Sequence, residues 1–206
     1  MRFPRSLLAC ALPALLFAGC STTPHSPAAR SELGAVMAER LALARDVARS
    51  KHHSGAPVHD PAREAAILAS LTRQATERGL SHRDAESFLT AQIAASRQVQ
   101  TELLARWANG EPLPPGAPLD LPTELRPRLD TVTTRLLDTL TATHRRGRWT
   151  ETASHARTAL SSAGFSDEAI QTAIAPLDAW ASAERHADYL ERQRRRMLRP
   201  RPALSN

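Results

Sequence analysis

The hydrophobic positions between residues 82 and 109 recur with the period of an α-helix that buries one face. At about 100° per residue, the apolar side chains fall within an arc of about 160°, and they are Phe88, Leu89, Ile93, Val99, Leu103, Leu104 and Trp107. Gln92, Ser96 and Gln100 lie inside the same arc at four-residue intervals, whereas Arg97 and its polar neighbours point away. The pattern therefore predicts a helix with a polar stripe on its buried face.

The same periodicity continues along most of the chain and predicts an all-α fold of six helices. Asp60 before Pro61, Ser81 and Ser166 are N-cap signals, and Gly79 is a stop signal. A Pro-rich linker occupies residues 109–122, and no convincing run of alternating β-branched residues predicts a strand. The predicted helices cover about residues 30–51, 61–79, 82–109, 123–144, 149–163 and 167–196.

Composition agrees with a helical protein and narrows the choice of ligand. The 206 residues are 42% hydrophobic and only 4% aromatic, which is enough for one domain with a real core or for two small ones. The formal charge is +6, and removing Arg2 and Arg5 with the N-terminal segment leaves +4. A basic excess fits nucleic acid, an anionic membrane surface or a small anionic ligand, and composition alone does not choose among them.

The N-terminus predicts export from the cytoplasm. Residues 1–20 have a basic start, a short apolar run and small residues before Cys20, as in a signal peptide. The sequence "FAGC" resembles a bacterial lipobox, in which Cys20 is lipidated, but Phe17 is unusual there and leaves simple cleavage open. Either route predicts a periplasmic protein, anchored to the membrane or free, with a polar tether at residues 21–29. Cys10 and Cys20 are the only cysteines, so the mature domain has no intrachain disulfide.

Charged residues recur on the predicted buried faces of the first two helices. Arg40 and Lys51 are eleven residues apart, almost three turns, and both lie inside the apolar arc of the first helix. Glu64 lies on the apolar face of the second helix, and Arg63 lies at its edge. Either these side chains reach the surface along their apolar stems, or they line a site.

Three helices together favour a site over solvated side chains. An unpaired buried charge costs several kcal/mol, and one carboxylate cannot neutralise three cations. The periodicity therefore indicates a cationic pocket with amide and hydroxyl donors, suited to a small polyanion. The residues directed to this interior are Arg40, Lys51, Arg63, Glu64, Ser96 and Gln100.

The order of these residues resembles one known family. The segments "ERLALARDVARSK", "VHDPAREAAIL", "FLTAQIAASRQVQ" and "LRPRLD" are similar to the secreted (gamma) subclass of the all-helical AroQ-type chorismate mutases. The resemblance covers about residues 33–140 and is specific, because charged and amide positions recur at fixed spacing across three helices. It implies a chorismate mutase domain at residues 30–144, and a C-terminal helical extension with a basic tail, packed on that domain, at residues 145–206.

The resemblance also implies a reaction, the rearrangement of chorismate to prephenate without a cofactor or covalent intermediate. By position, Arg40 would bind a substrate carboxylate, and Lys51 would bind the ether oxygen and a carboxylate. Gln100 would donate to the ether oxygen from the opposite side, and a glutamine there predicts activity that stays flat from mildly acidic to mildly basic pH. The other side chain of the stripe, Gln92, would either orient cationic groups from behind or be a satisfied core amide.

The remaining positions complete the implied substrate site. Arg63 would reach the other end of the substrate and Glu64 its ring hydroxyl, with Asp60 supporting through its backbone and Ser96 helping to hold a carboxylate. Arg126 matches the second carboxylate-binding arginine, although Arg128 lies two residues away. Secreted relatives of this kind are commonly dimers, so the resemblance also implies a homodimer with a complete site in each chain.

Other functions compete with this interpretation. His52, His53 and His59 invite a metal site, but no Cys or carboxylate spacing supports one, so no metal is expected. The basic stretch at residues 144–148 and the Arg-rich tail could contact nucleic acid, but the export signal argues against such a partner. The serious alternative is an exported helical lipoprotein that binds a small anionic ligand or acts as a scaffold. That protein would need no interior cations converging on one cavity.

Overall fold

The structure is a computed structural model that describes residues 28–198, with side chains from residue 32. Its described residues form no strand, and six α-helices follow the predicted order, which confirms the all-α fold. A single π-helical turn, Leu121–Leu125, precedes the fourth helix. The helices are α1 (Ala28–Ser54), α2 (Pro61–Glu77), α3 (His82–Ala108), α4 (Arg126–Arg146), α5 (Trp149–Ser162) and α6 (Asp167–Met197).

Side-chain caps begin the helices where the sequence predicts them. The Asp60 carboxylate accepts the Arg63 backbone N–H at 3.1 Å and starts α2. Ser81 Oγ accepts the backbone N–H three residues later at 3.0 Å and starts α3, and Ser166 does the same for α6 at 3.2 Å. These bonds satisfy N–H groups that a helix start leaves without intrahelical partners.

Two predicted boundaries differ from the structure. α1 continues to Ser54, so His52 and His53 belong to its last turn and not to a loop, and Gly55 ends it at φ 69°. The fourth helix does not begin at Thr123, because the π-helical turn occupies that position. Pro127 then lies in the first turn of α4, where a missing N–H costs little.

α1 is the central helix of the bundle and packs against α3, α4 and α5. Arg40 contacts the backbone of Gln92 and His52 packs edge-on against Trp107, so α1 and α3 run parallel. α6 covers α3 and α5, and the apolar faces of α1, α3, α4, α5 and α6 share one core. α2 is peripheral and packs mainly on α3.

The predicted processing features lie outside the described residues. These are the signal at residues 1–20 with Cys10 and Cys20, most of the tether at residues 21–29, and the chain end after Leu198. Across residues 28–198, none of the helices is long and apolar enough to cross a bilayer. The division into residues 30–144 and 145–206 stays a prediction.

Candidate active site

Arg40 is a buried cation whose recorded partners are neutral. Its side chain is 8% exposed; Nε donates to Thr133 Oγ1 of α4 at 3.2 Å and Nη1 to the Gln92 carbonyl of α3 at 3.4 Å. Burial lowers the pKa of Arg40 to about 10. No carboxylate of the described side chains forms an ion pair with it. α1, α3 and α4 therefore hold a desolvated positive charge that has spare N–H donors.

Lys51 lies three turns further along α1 and is half-buried. Its Nζ donates to the Val58 carbonyl at 2.9 Å, which ties the end of α1 to the loop before α2. Burial lowers the pKa of Lys51, and the nearby carboxylates of Glu64 and Asp60 partly oppose that effect. The positive charge of Arg63 lowers the pKa of Lys51 further. The predicted site residues of α1 and α2 therefore lie close enough to interact electrostatically.

Glu64 is held by two residues, Arg97 and His59, that the sequence did not assign to the substrate site. Its Oε2 accepts Arg97 Nη1 of α3 at 2.9 Å, and its Oε1 lies 3.2 Å from His59 Nδ1. Arg97 points away from the apolar arc of α3, as predicted, but α2 lies against that flank, so its side chain is paired and only 38% exposed. The one sequence signal that could have indicated Arg97 is its position directly after Ser96, a predicted pocket residue. Of the predicted pocket residues, Arg63 has an exposed side chain, and Asp60 acts as the cap of α2.

Two residues of the polar stripe of α3, Gln92 and Gln100, are buried as predicted, and Ser96 is half-buried. Gln92 is 1% exposed and donates to the Ala173 carbonyl of α6 at 2.8 Å, so it is a satisfied core amide. Gln100 Nε2 donates to the Ser96 carbonyl at 3.1 Å and hydroxyl at 3.3 Å. Gln100 Oε1 is buried and has no partner among the described residues. A half-turn of this amide would turn Nε2 towards a ligand and let Oε1 accept from the Ser96 hydroxyl, at the cost of the hydrogen bond from Nε2 to the Ser96 carbonyl.

Arg126 and Arg128 differ in burial. Arg126 is half-buried, and its Nε is enclosed without a partner among the described residues. Arg128 is exposed and lines a surface groove with Glu39 and Leu43. Because α4 runs antiparallel to α1, Arg126 lies alongside the stretch between Arg40 and Lys51.

The arrangement favours binding of an anion over binding of a metal. Within residues 28–198, no group of three or more His, Cys, Asp or Glu side chains could hold a metal ion. Arg40 and Lys51 bracket the Ser96–Gln100 stretch of α3, and two buried polar atoms there, Gln100 Oε1 and Arg126 Nε, lack partners in the described part of the chain. The N–H donors of Arg40, Lys51 and Arg126 suit carboxylate and ether oxygens of a small ligand.

Comparisons with known proteins identify the family. The sequence model of the family described as chorismate mutase type II matches residues 31–101. The secreted chorismate mutase of Mycolicibacterium smegmatis is 32% identical over 136 residues, which are 64% of this chain and 73% of that protein.

Solved structures agree with this match. The chorismate mutase from Burkholderia thailandensis has a TM-score of 0.64 at 32% identity, over 72% of this chain and 98% of that chain. The chorismate mutase from Burkholderia phymatum has a TM-score of 0.65 at 29% identity, over 72% and 95%. The secreted chorismate mutase from Yersinia pestis shares the fold, with a TM-score of 0.64 at 21% identity over 71% and 95%. With this extent of identity and this bundle of helices, the chain belongs to the AroQ-type, or type II, chorismate mutases.

Proposed function

We propose that this chain catalyses the rearrangement of chorismate to prephenate in the site between α1, α2, α3 and α4. The observation that carries the proposal is Arg40, a desolvated cation held by a hydroxyl and a carbonyl. Burial of a cation without a carboxylate is unfavourable unless a ligand supplies the opposite charge. Chorismate is a dianion, so it offsets this cost when it binds.

The cations bind and orient the substrate. Arg40 and Arg126 take the two carboxylates, and Lys51 bridges a carboxylate and the ether oxygen. The reaction is unimolecular, so holding the compact reactive conformer is a large part of catalysis. Glu64 accepts the ring hydroxyl beside the Asp60 backbone, Arg63 closes over the other end of the substrate, and Ser96 helps to hold a carboxylate.

The second part of catalysis is stabilisation of the ether oxygen in the transition state. Negative charge grows on this oxygen as the C–O bond breaks, and donors placed there act more strongly in the transition state than in the bound substrate. Lys51 Nζ and Gln100 Nε2 donate from two sides, the latter after the half-turn that exchanges its hydrogen bond to the Ser96 carbonyl for one to the ligand. Enzymes lower barriers by at least about 8 kcal/mol, and preorganised donors at about 3 kcal/mol each have the right scale.

We also propose that the chain is exported to the periplasm. The support is the signal-like sequence at residues 1–20 and the similarity to a relative described as secreted. Lipidation at Cys20 would anchor it to the membrane through the tether. A homodimer with one complete site per chain fits the placement of every proposed substrate contact on a single chain.

The test is direct conversion. Residues 21–206 are purified and mixed with chorismate, and loss of its ultraviolet absorbance is followed with identification of the product. We expect rapid formation of prephenate, and at least a hundredfold loss of kcat/KM in Arg40→Ala or Lys51→Ala. A folded helical chain that does not convert chorismate would overturn the proposed function.

A further inference from the structure

The first half of α2 carries substrate-site residues, and its apolar anchoring is partial, through half-buried side chains such as Leu68, which packs against the core. Residues 61–70 contain no fully buried side chain, and the buried residues of α2, Thr72 and Ala75, come later. Asp60, Arg63 and Glu64 all lie at this weakly packed end. Helices in proteins are held mainly by packing of an apolar face, so where that packing is only partial a polar interaction with α3 can add to the fixing of this end.

The ion pair between Arg97 and Glu64 supplies that interaction. Arg97 Nη1 lies 2.9 Å from Glu64 Oε2, and the side chains are 38% and 24% exposed. His59, in the loop before α2, contacts both partners, at 3.0 Å from Arg97 Nη1 and 3.2 Å from Glu64 Oε1. Because Arg97 directly follows Ser96 on α3, the pair joins the α2 wall of the site to the α3 wall.

We propose that Arg97 is a positioning residue that holds Glu64, and with it the N-terminal half of α2, in place to receive the substrate. This inference rests on the proposed function, in which Glu64 accepts the hydroxyl of chorismate. An ionised carboxylate accepts about four hydrogen bonds, so Arg97 and His59 leave capacity for that hydroxyl. Arg97 itself touches no reacting atom.

Kinetics of Arg97→Gln provide the first test. If Glu64 contacts the substrate similarly before and in the transition state, losing its position raises KM and spares kcat. We expect KM for chorismate to rise about tenfold with kcat within about threefold, and Arg97→Lys to recover most of the loss. Arg73→Gln is the matched control, because Arg73 pairs with Glu77 on the exposed side of the same α2 helix. It should leave both constants unchanged.

A double-mutant cycle separates positioning from a direct role. If Arg97 acts only through Glu64, then adding Arg97→Gln to Glu64→Gln changes KM no further. The expected result is a double variant that matches Glu64→Gln alone. Independent, additive effects would overturn the proposal, as would a KM of Arg97→Gln equal to that of the wild type.

Amide hydrogen exchange supplies a readout that does not depend on activity. We expect faster exchange in residues 61–70 of Arg97→Gln than in the wild type or Arg73→Gln, with the rest of the bundle unchanged. If the wild-type chain does not convert chorismate, the proposed function falls and exchange alone decides. Faster exchange at residues 61–70 would then support the Arg97 tie, and unchanged exchange would overturn it.

Discussion

Among single residues, Arg40 carries an energetic cost in the ligand-free protein. Burial lowers its pKa to about 10, which corresponds to about 3 kcal/mol against the charged form. The unfolded chain binds that proton more tightly, so the cost is present at every pH below about 10. It is relieved only as pH rises above about 10, towards the higher pKa of the unfolded chain.

Replacing Arg40 should therefore stabilise the free protein while it destroys activity. Arg40→Met removes the charge but loses two hydrogen bonds of about 1 kcal/mol each, so we expect Tm to rise by a few degrees. Arg49→Met is the control, since Arg49 on the same helix donates to exposed linker carbonyls and should not raise Tm. A lower Tm in Arg40→Met would show that its buried charge is offset within the chain itself.

If Lys51 is the donor proposed above, we expect it to set the alkaline limit of activity. Its protonated form is the donor, and burial holds its pKa below the usual 10.5, so kcat/KM should be level at lower pH and fall as pH rises through that pKa. Glu64 raises the Lys51 pKa, so Glu64→Gln should move the fall to lower pH. Glu77→Gln, on the exposed side of α2, should not. The assignment of the alkaline fall in kcat/KM to Lys51 would be contradicted if the fall occurred at the same pH in Glu64→Gln as in the wild type. It would also be contradicted if the fall persisted in Lys51→Arg.

The amide of Gln100 does not titrate, so its contribution to kcat/KM should not change with pH, whereas that of a carboxyl group would. Gln100→Glu donates to the ether oxygen only when protonated, so its kcat/KM should be at least tenfold below wild type at neutral pH and recover as pH falls. The wild type should stay flat from mildly acidic to mildly basic pH. Gln74→Glu on α2 provides the control, and equal profiles for wild type and Gln100→Glu would remove Gln100 from the mechanism.

Among the helices, α1 and α5 approach closely at Gly34. A Cβ at this position would lie 2.8 Å from the Cα of Ala156, and backbone atoms cannot move aside as a flexible side chain can. Gly→Ala normally stabilises a helix by about 0.5–1 kcal/mol, but overpacking costs about 1–3 kcal/mol. We expect Gly34→Ala to lower Tm and Gly34→Val to lower it further, as measured by thermal denaturation. Ala35→Val, at an exposed neighbouring position, should change Tm little, and a rise in Gly34→Ala would contradict the close approach.

The helices were predictable from sequence to within a few residues because their signals are local. Ser81, for example, caps α3 through its own next turn, and the buried stripe at Gln92 and Gln100 follows from a single helix's periodicity. The pairing of Arg97 with Glu64 was not predicted, because a helical wheel gives the rotation of one helix and not the position of its neighbours. Whether α2 lies over the Arg97 flank depends on packing among several helices, which no short stretch encodes.

At the scale of the whole molecule, the C-terminal helices complete the core beneath the site. The Ala173 carbonyl of α6 accepts the Gln92 amide, and Asp84 of α3 accepts Trp180 Nε1 at 3.1 Å. α5 packs along α1, with Ala156 fully buried. Although every proposed substrate contact lies before residue 127, the two helices that carry Arg40, Lys51, Ser96 and Gln100 are covered by the C-terminal helices, α1 by α5 and α3 by α6.

This arrangement predicts that the catalytic half does not fold alone. A chain of residues 21–146 would expose the apolar faces of α1 and α3 that α5 and α6 cover, and would leave the buried Gln92 amide unpaired, so we expect no cooperative thermal transition and no mutase activity. A chain ending at residue 191 is the matched control, because nearly all side chains of α6 beyond Ala181 are exposed, and it should keep wild-type Tm and kcat/KM. Circular dichroism melts and the chorismate assay measure both chains. A cooperative, active 21–146 fragment would instead make residues 145–206 a dispensable extension, and the burial that desolvates Arg40 would then have to come from α1, α3 and α4 alone.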